Sequence, residues 1–284
     1  MANSVRPLEA ILPAASARRE WRRFKYPDSL LRFGALLSVL VFLAYSVAYL
    51  NIPLDRLIGI FGRLGDLLAN RYYPPDIQYI MDKDYLGYVI ETIQMAYLGA
   101  LFGLLIAVPL AWFASFNMTP SRRWVYPIAR LITMLCRAVH EMLWAILFVT
   151  ILGFGMLAGV LALIMFCIGF AGKLFAEEIE AIDIGPVEAI QATGANRLQA
   201  FVYGVLPQVR VAFTGIAIYT WDVAFRAATV VGFFGAGGMG WYLKRNVLQL
   251  ETHRTAAILL SIIVLVVISE AVSAWARDRV AKSK

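Results

Sequence analysis

From Leu98 to Phe116 the chain reads LGALFGLLIAVPLAWFASF, without one charged residue. A helix of about 20 apolar residues crosses the hydrocarbon core of a bilayer, so this stretch reads as a membrane span. Upstream the span starts near Tyr85, and Pro109 marks an expected kink. The rest of the chain has the same character. Of 284 residues, 61% are apolar and 16% charged, whereas a soluble domain carries about a quarter charged residues. Lipid, not water, is the solvent this composition fits.

Outward from that stretch, further apolar runs cover Phe33–Leu50, Tyr126–Leu152, Met156–Phe175, Gln208–Phe234 and Thr255–Trp275. The expected fold class is an all-α membrane protein with six transmembrane helices. Asn51, Ile52 and Pro53 end the first span. In the following segment Leu54, Leu57, Ile58, Phe61, Leu64, Leu67 and Leu68 recur at helical spacing. That pattern predicts an amphipathic helix lying at the interface, broken by Pro74 and Pro75. The first apolar run follows a polar arm and has no small-residue cleavage site after it, so no secretory leader is read. Cys136 and Cys167 both sit in apolar stretches and read as small buried hydrophobes.

The net charge of +7 comes from basic residues beside the spans, among them Arg18, Arg19, Arg22, Arg23 and Lys25. They serve topology and give no reason to expect nucleic acid. With the N-terminus inside, about 16 Lys and Arg face the cytoplasm and about seven the outside, the bias expected of both termini in the cytoplasm.

A polar cytoplasmic segment, 176–207, interrupts the apolar chain. Pro186 suits the first turn of a helix, and Gly194 supplies the positive φ that ends one. Leu198, Phe201, Val202 and Val205 then form an apolar stripe, and Pro207 restricts the backbone before the next span. Two short helices around a sharp glycine turn are expected. Periodicity alone fits either a linking hairpin or a lever that docks in a partner's groove.

The residues themselves say more. Glu188-Ala189, Gly194 and Leu206-Pro207 resemble the coupling-loop signature of binding-protein-dependent ABC importer permeases, with Ile190 at a position often held by Ala. Lys173–Glu177, Gly185–Glu188, Tyr203–Gln208, Arg137–Met142 and Arg226–Gly232 leading to Gly235–Gly238 look like the phosphonate importer permeases. The resemblance covers roughly 85–280. His140 stands where Asn is expected, and Ala227 where Ser is usual.

The resemblance implies a type I permease domain over 85–276; charge and hydropathy mark a basic arm over 1–32, a first span with interfacial segment over 33–84, and a cytoplasmic tail over 277–284. It implies that Pro186, Glu188, Ala189, Gly194, Arg197, Leu206 and Pro207 dock on an ATPase. The implied assembly is a homodimer of this chain in membrane lipid, two ABC ATPase subunits, and an extracytoplasmic phosphonate-binding protein. The cofactors, ATP and Mg, belong to the ATPase, and none is expected here. Phosphate, phosphite or another small solute is the alternative cargo, and an ion-coupled secondary transporter the alternative class.

Charge at bilayer depth is costly and often functional. Arg137 and Glu141 stand four apart, as do Asp222 and Arg226, and His140 adjoins the first pair. Each spacing predicts a shared helical face. Both a polar lining for an oxyanion's path and self-neutralising structural pairs fit. Glu91 and Gln94 lie in the outer part of their span. Gly235, Gly237 and Gly238, within Gly235–Gly240, read as a close-packed outer turn or gate. The sequence contains no GxxxxGK[ST] phosphate loop, so ATP chemistry is expected from a partner.

Overall fold

The structure, a computed structural model, describes residues 28–50 and 58–282. The basic arm up to residue 27 and the Asn51–Pro53 stop lie outside the described residues. The chain divides into two units, Met1–Leu64 and Gly65–Lys284.

In the first unit, α1 (Asp28–Tyr49) is apolar on all sides from Phe33 onward. Its side chains are exposed along nearly the whole helix. A helix of that kind needs lipid or a neighbouring helix around it. α2 (Ile60–Leu67), which crosses the boundary between the units, widens into a π turn at Leu68–Tyr72, and neither buries a residue.

The second unit contains α3 (Ile77–Ile80), α4 (Lys83–Ala114), α5 (Val125–Ala138), α6 (Glu141–Leu152), α7 (Met156–Glu180) and α8 (Gly185–Ala192). α9 (Arg197–Ala200), α10 (Leu206–Val231), α11 (Gly238–Leu248) and α12 (Thr252–Lys282) complete it. α4 runs through Pro109 as one helix. Counting the bent pair α5–α6 as one crossing, the described residues make up to 6 apolar crossings.

α7 is the centre of the bundle, packed by α4, α5, α6 and α10. Small residues let the backbones approach, as membrane helices require where apolar burial drives little association. Ala96, Gly99, Gly103, Ala107 and Ala111 line the buried face of α4. A Cβ on Gly99 would fall 2.5 Å from Leu163 Cβ, and one on Gly169 2.8 Å from the Arg137 nitrogen.

Two expectations are corrected. The second cytoplasmic helix is not a separate short element. α9 passes through a π turn at Phe201–Val205 into α10, so the chain is helical without interruption from Arg197 to Val231. The Leu206 N–H reaches back to the Phe201 carbonyl. That wider turn carries the chain through Pro207, whose missing N–H would otherwise break the ladder.

The Tyr126–Leu152 span is also not one straight helix. α5 and α6 meet at 91°. Val139 and His140 are both extended, with ψ of 120° and 147°. Arg137 and Glu141 therefore share no helical face, and among the described residues no ion pair joins them.

Candidate functional site

The polar segment folds as a short helix held against the bundle. Pro186 occupies the first turn of α8 and Glu188 follows in that turn, where a carboxylate meets the positive end of the helix dipole. Gly194 has φ of +89°, a conformation L side chains avoid, and it reverses the chain. Asn196 then starts α9 with a capping box: its side chain accepts the Gln199 N–H at 2.8 Å, and Gln199 accepts the Asn196 N–H at 2.8 Å.

One face of α8 is anchored. Val187 is buried, and Gly204 lies directly beneath it. A Cβ at Gly204 would stand 3.2 Å from Val187 Cα and 3.3 Å from Ile190 Cδ1. Val187 joins an apolar cluster with Ala107, Phe175, Phe201, Val205 and Phe213. Of the expected stripe, Phe201 and Val205 are thus core, while Leu198 and Val202 are exposed. Gln208 ties the entry of α8 down: it accepts the Asp183 N–H at 3.1 Å and donates to the Gly204 carbonyl at 2.7 Å. Arg197 donates to the Pro120 carbonyl.

The neighbouring α4–α5 loop is fixed to the same base. Glu180 accepts the Phe116 N–H at 2.8 Å and pairs with Arg130 at 2.7 Å, and Asn117 donates to the Ile179 carbonyl at 2.7 Å. Pro186, Glu188, Ala189, Gly194, Arg197, Leu206 and Pro207 all stay exposed. The arrangement is a rigid hairpin with one face packed on the helix bundle and the other open.

At membrane depth the α5–α6 break gathers three of the singled-out residues. Arg137 lies in the last turn of α5, next to its free carbonyl end. The His140 Nδ1 accepts the Met142 N–H at 3.4 Å and so caps α6. This gives a physical account of the expected Asn, one of the strongest N-caps. The His140 ring also stands 3.2 Å from the Glu141 carboxylate. Non-helical backbone at this depth persists only inside protein or along a water-filled cavity.

Asp222 and Arg226 pair at 3.0 Å on α10, with the carboxylate side chain 4% exposed and the guanidinium 42%. Ser269 of α12 donates to the other Asp222 oxygen at 3.5 Å.

The outer turn is built from close contacts. Gly235, Gly237 and Gly238 have φ of 108°, 92° and 65°. A Cβ on Gly237 would fall 2.6 Å from a Glu91 carboxylate oxygen. Glu91 accepts the Gly238 N–H at 3.0 Å and Thr92 the Met239 N–H at 2.8 Å, so α4 caps the start of α11. Sequence reasoning placed Glu91 in the outer span but gave it and Thr92 no role. The Gly155 N–H donates to the Gly235 carbonyl at 3.2 Å, tying in the turn between α6 and α7. Beyond it, Tyr79, Tyr85, Tyr88 and Tyr242 pack together. A hydrogen bond with Tyr79 and desolvation push the Tyr242 phenol up to about 12.

Membrane-crossing helices around a small-residue core, with a cytoplasmic hairpin before the penultimate crossing, define a polytopic transport subunit. The chain belongs to the binding-protein-dependent transport system inner membrane components, whose family model matches residues 99–282. It is 38% identical over 206 residues to the phosphite transport system permease protein PtxC of Stutzerimonas stutzeri, covering 72% of this chain and 74% of that one. It is 38% identical over 200 residues to the phosphate-import permease protein PhnE of Mycolicibacterium smegmatis, covering 70% of this chain and 37% of that one.

Among solved structures, a chain of a bacterial ABC transporter involved in import of the acidic polysaccharide alginate matches with TM-score 0.61 at 16% identity, covering 90% of this chain and 98% of that one. A chain of the MetNI methionine ABC transporter matches with TM-score 0.60 at 18% identity, covering 70% and 99%. These likenesses show the fold, that of a type I ABC importer permease. Family and fold make the chain an inner-membrane permease component that works with a separate ATPase and a substrate-binding protein, and set aside the ion-coupled reading.

Proposed function

We propose that the chain is the permease subunit of an ATP-driven importer of small phosphorus oxyanions, phosphonates first among them. The observation that carries the coupling role is the α8 hairpin, with Val187 locked in the core and Glu188, Ala189 and Gly194 open for an ATPase. The phosphorus class rests on the relatives named for phosphite and phosphate import, together with a relative named for phosphonate transport.

In this reading two copies of the chain pair, each with an ATPase subunit on its α8, and a phosphonate-binding protein docks outside. ATP and Mg, on the ATPases, draw the two hairpins together. The bundle then switches from inward- to outward-facing, the solute enters, and hydrolysis resets the cycle. ATP drives the switch because it binds one state more tightly than the other. Arg137, His140 and Glu141 at the helix break, with Asp222 and Arg226, line the path, where the forked guanidinium suits phosphoryl oxygens. Gly235, Gly237 and Gly238 form the outer gate.

The test is uptake of phosphonate, phosphite and phosphate by proteoliposomes holding permease, ATPase and binding protein. Glu188→Lys and Gly194→Val are expected to abolish uptake and the ATPase stimulation by binding protein while the permease still folds. Wild-type rates in both variants would overturn the coupling assignment.

A further inference from the structure

We propose that the permease carries its own anion subsite at its outer face, a pocket between the start of α4 and α11 that takes a tetrahedral phosphorus oxyanion. The inference rests on the transport reading above and adds the residues that first receive the solute. The pocket has a volume of about 380 Å³ and is lined by Lys83, Asp84, Tyr88, Glu91, Tyr242 and Arg245, among others. Two other cavities of the bundle, between the Leu68–Tyr72 turn and α12 and between α4 and α10, have mostly apolar linings.

The charges in the pocket are not equally available. Glu91 already accepts the Gly238 N–H at 3.0 Å, at the positive end of α11. Asp84 lies in the first turn of α4, where the helix terminus meets its charge. Lys83 and Arg245 are both exposed, and among the described residues neither pairs with a carboxylate. With Glu91 engaged by the start of α11, the charges left open to a ligand are two cations, Lys83 and Arg245, against one exposed carboxylate, Asp84, a positive balance.

Tyr88 and Tyr242 form one wall, with ring centroids 4.6 Å apart. Tyr242 stays neutral at physiological pH and adds no negative charge. An ammonium, a guanidinium and phenolic walls suit a small dianion that keeps part of its water. Arg grips two phosphoryl oxygens and Lys supplies a point charge. A cation would face both free positive charges.

The ligand chemistry is shared by a free oxyanion and a phospholipid headgroup, and the test separates them. The assembled transporter, without binding protein, is titrated with phosphite, methylphosphonate and inorganic phosphate while the phosphorus-31 linewidth is followed. One series uses lipid nanodiscs and one lipid-free detergent. Broadening is expected in both, weakened about tenfold or more in K83Q and R245Q and retained in K83R. Proteoliposome uptake by K83Q and R245Q should fall with the broadening, and K83R should keep both.

Broadening that K83Q/R245Q leaves intact, or no broadening from a wild type that transports, overturns the subsite. Broadening seen only without phospholipid assigns the pocket to a headgroup and overturns it as a solute site. A wild type that broadens all three resonances yet imports none refutes the transport reading, not the pocket.

Discussion

Gly204→Val tests the mechanical core of the proposal. Gly204 is where α8 rests on the α9–α10 helix. An added Cβ would lie 3.2 Å from both Cα and Cγ2 of Val187 and 3.3 Å from Ile190 Cδ1. Carbon contacts are optimal at about 3.5–4.0 Å, so alanine asks its neighbours to yield a few tenths of an ångström. Alanine also gains up to about 1 kcal/mol of helix propensity over glycine, which offsets that crowding. Gly204→Ala should therefore melt and transport much like wild type.

Valine differs. Its two γ-methyls enter the same wall, and overpacking of this kind costs about 1–3 kcal/mol. The cheapest relief is to lift α8 off the bundle, because Val187 is its only buried anchor. Each 1.4 kcal/mol or so is a factor of ten, so uptake by Gly204→Val should fall about tenfold or more. Basal ATPase should survive, since the ATPase is a separate chain. Val187→Ala removes the facing methyls, and V187A/G204V should transport better than G204V alone. The assays are proteoliposome uptake, ATPase with and without binding protein, and thermal melting of the purified permease. Wild-type uptake by Gly204→Val, or effects of the two substitutions that simply add, would refute the argument.

Two further outcomes follow from the outer turn and the buried pair. Glu91→Ala strands the Gly238 N–H and should lower stability by about 1–3 kcal/mol, whereas Glu91→Gln keeps an acceptor and should lie closer to wild type in melting and uptake. Arg226→Met leaves the Asp222 carboxylate, 3% exposed, without its cation; loss of one partner of a buried pair costs about 3–5 kcal/mol, a ceiling here because Arg226 is half-exposed. D222N/R226M, which removes both charges, should melt above R226M.

The crossings were legible because a run of about 20 apolar residues has few structural alternatives. The α8 turn was legible because Pro186 and Gly194 mark a start and a stop by backbone chemistry alone. The break at Val139–His140 was not. No proline or glycine signals it, and the Arg137–Glu141 spacing argues for a face only if the helix is continuous. Its one trace was the expected Asn at His140, a capping residue where a span should have none. The Glu91–Gly238 contact was hidden for a different reason: its partners lie 147 residues apart, and no local pattern encodes such a pairing. Pro207 misled because a π turn upstream absorbs what a regular helix could not.

These misses bear on the transport reading in opposite ways. Two apolar clusters organise the bundle, one on the cytoplasmic side around Val187, Phe175 and Phe213, the other toward the outside around Met95, Leu163 and Val231. Residues of α4, α7 and α10 enter both clusters. Close packing transmits displacement rather than absorbing it, so in this reading the hairpin and the glycine turn are opposite ends of one stiff body. The α5–α6 pair breaks regular helix beside that body, where Gly169 of α7 meets the Cys136–Arg137 backbone. A switch of access needs both: a lever that does not bend, and a crossing whose two halves are free to change their angle. Had Arg137 and Glu141 shared a straight helix, their mutual neutralisation would have left the path no free donor at that depth. The break separates them and leaves Arg137 exposed, which in the proposed cycle makes it available to an anion on the path.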